Sequence, residues 1–345
     1  MEKIKVAIVG AGNIARSAHL PAYMKRDDIE LVGIADLNLE RAQEACKQFP
    51  IKAAFSSIEE MLANVDCDYV DICVWNGSHA DCAIAAAKAG KAVLCEKPMA
   101  LNLEHALRMQ EEIKKAGVPF MLAVPTRYTS QAMMLREMVD EGKFGDIYFA
   151  KTAYVRRRGT PKGWFTDTRK SGGGPVIDIG VHCIDRTWFL MGCPKPVRVS
   201  ASTSYAIGNY QTKGIHPWCA LDAGDGTFDT EDSACGIVHF ENGASLMFEV
   251  SWAINAKEAS YTQICGSKAG AYMDPLVIYG EESGYLTDST PNPGSNDMFY
   301  EEIDHFIHCL RTGEEPKSNL EQAVTMQRIL QGIYDSAHLH KEVEI

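Results

Sequence analysis

The chain has 345 residues, 46% of them hydrophobic and 23% charged, enough for two domains that each bury a core. Its 34 basic and 46 acidic side chains give a formal charge of −12, which argues against nucleic acid or an anionic membrane as partner, since either demands a basic face. No stretch approaches the roughly 20 consecutive apolar residues of a membrane span.

Met1-Glu2-Lys3-Ile4-Lys5 runs directly into a strand, leaving no room for a signal peptide, so a cytoplasmic location is expected. The strand Ile4–Val9 ends at the turn Gly10-Ala11-Gly12-Asn13-Ile14-Ala15. Further strands are expected at 30–35, 69–74, 92–95 and 119–123, with helices over 38–49, 79–89 and 102–116. Short apolar strands alternating with helices predict βαβ units, a doubly wound parallel sheet and hence an α/β Rossmann domain over 1–124.

From 125 onward β-patterned runs dominate, at 146–156, 197–205, 234–240 and 244–253, the last two joined by the hairpin signal Asn242-Gly243. A helix is expected over 175–191, and two more at 296–311 and 320–340. This predicts an α+β domain over 125–345 with an open, mainly antiparallel sheet. The closing helices have the option of packing back on the first domain. Two Gly/Pro-rich stretches, 207–231 and 280–295, read as long loops. The 11 cysteines are scattered without any Cys-x-x-Cys spacing and read as small buried hydrophobes.

Three constellations carry chemistry. The turn Gly10-x-Gly12-x-x-Ala15 lets the backbone approach a pyrophosphate at a helix N-terminus, and Asp36 at the end of the second strand suits the ribose hydroxyls of NAD while repelling the extra phosphate of NADP. Asp36 also stands where a helix cap would, and the two roles are compatible. Farther on, Ser171-Gly172-Gly173-Gly174-Pro175 precedes Asp178 and His182, four residues apart on one helical face. An imidazole suits proton transfer near neutral pH, and a carboxylate one turn earlier can orient it. The triple glycine points to a close backbone approach to a ligand. The third constellation is Arg156-Arg157-Arg158 with Gly163-Trp164-Phe165, either a charged strand edge or donors and an apolar face for a sugar ring. No metal site is expected; Glu301, Glu302, Asp304, His305 and His308 read as a solvated helix face.

With Cys95-Glu96-Lys97-Pro98 after the strand at 92–95, these motifs together resemble the glucose–fructose oxidoreductase/inositol dehydrogenase/MocA family over nearly the whole chain, down to Glu301-Glu302-Ile303-Asp304-His305-Phe306. The resemblance implies an oxidoreductase acting on CH–OH groups, which oxidises a secondary alcohol of a sugar, glycoside or cyclitol with hydride transfer to NAD. In the Arg156–Phe165 region it implies a pyranoside, sometimes oxidised at ring C3. Lys97 would hydrogen-bond the reacting oxygen, His182 would act as general base, and Asp178 would position substrate and histidine. Cofactor contacts would come from Gly10, Gly12, Asn13, Ile14, Asp36, Asn76, His79, Glu96 and Lys97. Substrate contacts would come from Lys97, Arg156, Arg158, Trp164, Asp178 and His182. The turn Trp75-Asn76-Gly77-Ser78 departs from the family's usual Thr-Pro-Asn. A homodimer or homotetramer through the second sheet is expected. Two alternatives stay open: oxidation-assisted glycoside cleavage, and a non-catalytic sugar- or NAD-sensing regulator, although a sensor could dispense with the lysine and histidine retained here.

Overall fold

The first six strands are short and apolar, and they pair side by side in parallel. They are β1 (Ile4–Val9), β2 (Ile29–Ala35), β3 (Ala54–Phe55), β4 (Tyr69–Ile72), β5 (Ala92–Glu96) and β6 (Phe120–Ala123), in the order β3-β2-β1-β4-β5-β6. The connections run through α1 (Leu20–Tyr23), α2 (Leu39–Gln48), α3 (Ile58–Asn64), α4 (His79–Lys88) and α5 (Leu103–Ala116). Strand order reverses between β1 and β4, so ligands are expected beyond the carboxyl ends of these strands. The core on one side of this sheet joins Val9, Ile72, Val93 and Leu122 to Ala83 of α4 and Met109 of α5. Strand β3 is only two residues long, too short to leave a periodic signal in the sequence.

A computed structural model describes residues 3–216, 218–221 and 224–345. It divides into two units, Met1–Pro125 with Asp297–Gln327, and Thr126–Asn296 with Arg328–Ile345. Residues 297–327, assigned to the second domain with the option of packing back on the first, group with the Rossmann unit.

The second unit continues with α6 (Ser130–Asp140), β7 (Ile147–Val155), α7 (Thr168–Ser171), α8 (Val181–Leu190), β8 (Pro196–Ser204), β9 (Ser233–Phe240), β10 (Ser245–Ser251), β11 (Ala259–Gly266), β12 (Gly270–Met273), β13 (Val277–Glu282) and β14 (Tyr285–Ser289). The chain closes with α9 (Met298–Thr312), α10 (Leu320–Leu339) and β15 (Val343–Glu344). The nine-stranded sheet runs β14-β13-β12-β11-β7-β10-β9-β8-β15 and is parallel only where β7 meets β10. Asn242-Gly243 makes the expected β9–β10 turn, with Gly243 at φ +85°. The stretch 280–295, expected as a loop, instead holds most of the β13–β14 hairpin, turned by Ser283 and Gly284 at φ 54° and 82°. Both values are positive, as a type I′ turn requires. Most side chains of this hairpin stay exposed, so no alternation of buried and polar residues announced it. Among the described residues no helix is long and apolar enough to cross a membrane.

Candidate active site

In the Rossmann unit, Gly10 and Gly12 are glycines for different reasons. At Gly10, with φ +98°, an added Cβ would lie 2.4 Å from the Cys73 carbonyl oxygen, so the close approach of the chain after β4 demands glycine. At Gly12 an added Cβ would meet nothing within 4 Å, and its backbone is not left-handed. The protein's own atoms therefore set no requirement there, and the opening suits the close approach of a pyrophosphate to the start of the following helix. Asn13 and Ile14 are half-buried beside it. Asp36 closes the turn from below: its Oδ2 accepts the Ala11 N–H at 2.8 Å and its Oδ1 accepts the Asn38 N–H at 2.8 Å. The cap of α2 is Asn38, whose side chain accepts the Arg41 N–H, so Asp36 is not the cap. Its remaining lone pairs can accept ribose hydroxyls. These residues fit NAD.

Lys97 follows the last residue of β5. From Ala92 to Ala100 every residue is buried except Lys97. Two residues expected to contact the cofactor, Glu96 and His79, turn their side chains inward. Glu96 points inward, with Oε2 accepting the Lys97 backbone N–H at 3.0 Å and Oε1 meeting His19 Nε2 at 2.9 Å. His79 is fully buried, and its two ring nitrogens meet the Pro98 and Val74 carbonyls at 2.7 and 3.0 Å. Its ring therefore straps the turn after β4 to the Lys97 turn instead of reaching a ligand, and burial lowers its pKa. Asn76 is also buried, in a short 3₁₀ turn before α4.

In the second unit, Asp178 and His182 lie on a helix that begins as a π-helical turn, Val176–Gly180, and continues as α8. Between Gly173 and Asp185 every residue is buried except these two. Asp178 Oδ2 accepts the Trp252 indole N–H at 3.0 Å, which anchors the carboxylate to a fully buried ring. Two of the three glycines, Gly173 and Gly174, have an internal explanation beside the expected approach to a ligand. A Cβ on Gly173 would lie 2.0 Å from the Tyr334 hydroxyl, and one on Gly174 would lie 2.2 Å from the Glu231 carbonyl oxygen. The Glu231 carboxylate caps this helix start, accepting the Gly174 N–H at 2.9 Å, the Val176 N–H at 3.1 Å and the Tyr334 hydroxyl at 2.8 Å. Burial raises the Glu231 pKa, and these hydrogen bonds act against the rise.

The arginine run is less available than expected. Arg158 donates to the carbonyls of Arg157 and Ile254 at 2.6 and 3.1 Å and to Asn255 Oδ1 at 2.7 Å, with its guanidinium over the Tyr210 ring. Arg156 donates to the Tyr154 hydroxyl at 3.1 Å and lies over that ring. Neither is a simple solvated edge. Trp164 stacks on Phe165 with ring centroids 4.0 Å apart, and Phe165 meets the half-exposed Trp218 edge-on.

The helix face at 301–308 is also corrected. Glu302 is fully buried, and His305 Nε2 accepts the Lys317 N–H at 3.0 Å, with burial pushing its pKa down to about 4. Among the described residues one group has metal-ligand proximity: His19, Asp71 and Cys73, all buried. Direct N···O contacts of hydrogen-bond length occupy both nitrogens of its histidine, which is the geometry of shared protons. His19, Asp71 and Glu231 were not singled out from the sequence. Asp71 inside the apolar run Tyr69–Ile72, and His19 between Ala18 and Leu20, were the available signals: each is a polar residue where burial is expected.

Comparison with known proteins covers the whole chain. The family model described as "Oxidoreductase family, NAD-binding Rossmann fold" matches residues 4–124, and that of the GFO/IDH/MocA C-terminal domain matches residues 132–272. The chain is 32% identical to a D-glucoside 3-dehydrogenase of Escherichia coli K12, over 99% of this chain and 97% of that one. It is 26% identical to a myo-inositol 2-dehydrogenase of Thermotoga maritima, over 91% and 90%. A levoglucosan dehydrogenase solved with NADH and L-sorbose shares the fold, with a TM-score of 0.86 at 23% identity, over 100% and 99% of the two chains.

Proposed function

The chain belongs to the GFO/IDH/MocA family of oxidoreductases with an NAD-binding Rossmann domain, and from that premise we propose that it oxidises a secondary hydroxyl of a pyranoside, at ring C3, using NAD. The observation that carries the reading is the exposure pattern around the chemistry. Lys97 is the only residue that is not buried in its run, and Asp178 and His182 are the only two in theirs. A dehydrogenase needs such groups, because a hydride leaves carbon readily only as the hydroxyl loses its proton. His182 takes the hydroxyl proton. Lys97 donates a hydrogen bond to the same oxygen and stabilises its developing charge. Asp178, anchored by Trp252, positions substrate and imidazole. NAD, when bound, supplies the hydride acceptor. The full-length likeness to a D-glucoside 3-dehydrogenase supports a glycoside oxidised at C3.

The protein works as a homo-oligomer through the face of the second sheet that α8 leaves uncovered. A same-face row, Ile237, Met247, Lys151, Gln263 and Tyr272, crosses five strands there, and none of the five side chains is buried. Such a face favours a partner. Light scattering at micromolar concentration is expected to give a dimer or tetramer; a monomer would remove this assembly.

The substrate test is a panel of pyranosides and inositols with NAD, following absorbance of the reduced cofactor. A 3-keto glycoside identified by NMR is the expected product. Turnover of inositols alone would move the substrate class to cyclitols.

A further inference from the structure

Beneath the Lys97 turn lies a buried group of charged and polar side chains that the proposed reaction does not use. His19, fully buried at the end of the π-helical turn Ala15–His19, stands between two carboxylates. Its Nδ1 is 2.8 Å from Asp71 Oδ2 and its Nε2 is 2.9 Å from Glu96 Oε1. Asp71 Oδ2 also accepts the Tyr23 hydroxyl at 2.9 Å, which in turn accepts the Tyr69 hydroxyl at 2.8 Å, and the Cys73 thiol points to Asp71 Oδ1 at 3.5 Å. Asp71 thus accepts from the Tyr23 hydroxyl and the Cys73 thiol as well as facing His19 Nδ1, while Tyr69 donates to Tyr23. The other oxygen of Glu96 accepts the Lys97 N–H. A neutral imidazole offers one donor, whereas an imidazolium offers one to each of the two flanking carboxyl groups. Glu302 of α9 is buried nearby, and burial, reinforced by the charge of Glu96, raises its pKa and favours its neutral form.

We propose that His19 is a positioning residue for Lys97: held as an imidazolium between Asp71 and Glu96, it orients the Glu96 carboxylate that fixes the backbone from which the lysine leaves the sheet. The chain of contacts is continuous, from β4 through His19 to the last residue of β5 and then to the Lys97 N–H. One positive charge between the two flanking carboxylates is shared by both, and a neutral Glu302 adds no further negative charge. With His19 uncharged, its single N–H could serve only one of the two carboxyl groups, and the hold on Glu96, and so on the Lys97 N–H, would loosen. The inference rests on the proposed role of Lys97 in turnover.

The native protein supplies the first test. Side-chain ¹⁵N NMR is expected to show both His19 nitrogens protonated well above the pH range in which histidine ordinarily titrates. A single neutral tautomer at neutral pH would overturn the proposal whatever the variants do. The second test is a double-mutant cycle on folded proteins, with His19→Gln and the isosteric Glu96→Gln each combined with Lys97→Ala. Each single glutamine variant is expected to lower kcat about tenfold or more, leaving NADH affinity within about threefold, and to add little in the Lys97→Ala background. Effects that multiply with Lys97→Ala would assign His19 to general stability and overturn the inference. A harmless Lys97→Ala would instead remove the reading on which the inference rests, and the two failures are thereby distinguished.

Discussion

Two glycine-rich turns, one in each unit, look alike in sequence and differ in what they are for. Gly12, after β1, has no atom from beyond its own stretch of chain within 4 Å of where a side chain would begin. Gly173 and Gly174, before the helix of Asp178 and His182, are filled by the protein itself, at 2.0 Å from Tyr334 and 2.2 Å from Glu231. A glycine surrounded by the protein's own atoms reports close internal packing, and one facing open space is available to a ligand. The first turn is shaped for a cofactor. The second is shaped to let a buried carboxylate and a tyrosine seize the first N–H groups of a helix, and so to fix where that helix points its two accessible polar residues. Both helices also pass through a π-helical turn, Ala15–His19 and Val176–Gly180, a rare geometry frequent at functional sites.

The largest effect is expected at the residues that the second turn presents. His182→Ala should lower turnover by roughly 10²–10⁴-fold, the range for a lost general base. NADH affinity should persist, because the glycine turn and Asp36 lie in the other unit. Lys97→Ala should cost about as much, and the double variant less than the product, since both groups serve one proton-transfer step. Steady-state kinetics with fluorescence titration of NADH checks this; a folded His182→Ala protein with near-native turnover would pass the role of base to Lys97.

The next effect separates the two turns directly. Gly174→Ala places a methyl group against backbone, which cannot yield as a flexible side chain would, and should cost about 1–3 kcal/mol or more of stability. Glu231→Ala should destabilise comparably, because it leaves the Gly174 and Val176 N–H groups and the Tyr334 hydroxyl buried without their acceptor, at about 1–3 kcal/mol. Gly12→Ala should leave the melting temperature unchanged yet weaken NADH binding about tenfold, equivalent to about 1.4 kcal/mol. Thermal denaturation and cofactor titration on the three variants test the contrast. It collapses if Gly12→Ala destabilises the protein as much as Gly174→Ala does.

Much of this was legible from the sequence, for physical reasons. Parallel strands buried on both faces must be apolar runs, and the residues closing them, Asp36 and Lys97, stand at strand ends where ligands are met. Asp178 and His182 declared themselves by spacing on one helical face. What stayed hidden is partnership across the chain. Glu231 meets Gly174 from 57 residues away and Glu96 meets His19 from 77, and no local period encodes such a pairing. The inward turn of Glu96 and His79 was hidden for the same reason: the sequence places a residue near a site, while only the fold shows which way its side chain faces. The β13–β14 hairpin escaped because most of it stays exposed.

A change of cofactor preference, with no loss of turnover as such, tests whether the first turn is tuned to NAD by Asp36. Asp36 accepts the Ala11 and Asn38 N–H groups, and the Arg41 guanidinium lies 3.7 Å from its Oδ2. Asp36→Ser removes the carboxylate that repels a 2′-phosphate, and the Arg41 guanidinium beside that position adds a positive charge that favours the phosphate. Serine replaces at most part of the two backbone contacts, and NAD affinity should therefore fall about tenfold, or about 1.4 kcal/mol, while NADP affinity rises. The ratio of kcat/KM for the two cofactors should move towards NADP by about 10–100-fold, a difference of about 1.4–2.8 kcal/mol. Adding Arg41→Ala to Asp36→Ser should reverse the NADP gain and leave the NAD loss in place, which separates the phosphate contact from damage to the turn. Native protein that uses both cofactors with equal efficiency, or a ratio that Asp36→Ser does not move, would show that the carboxylate serves only to hold the turn together, as Glu231 does in the second unit.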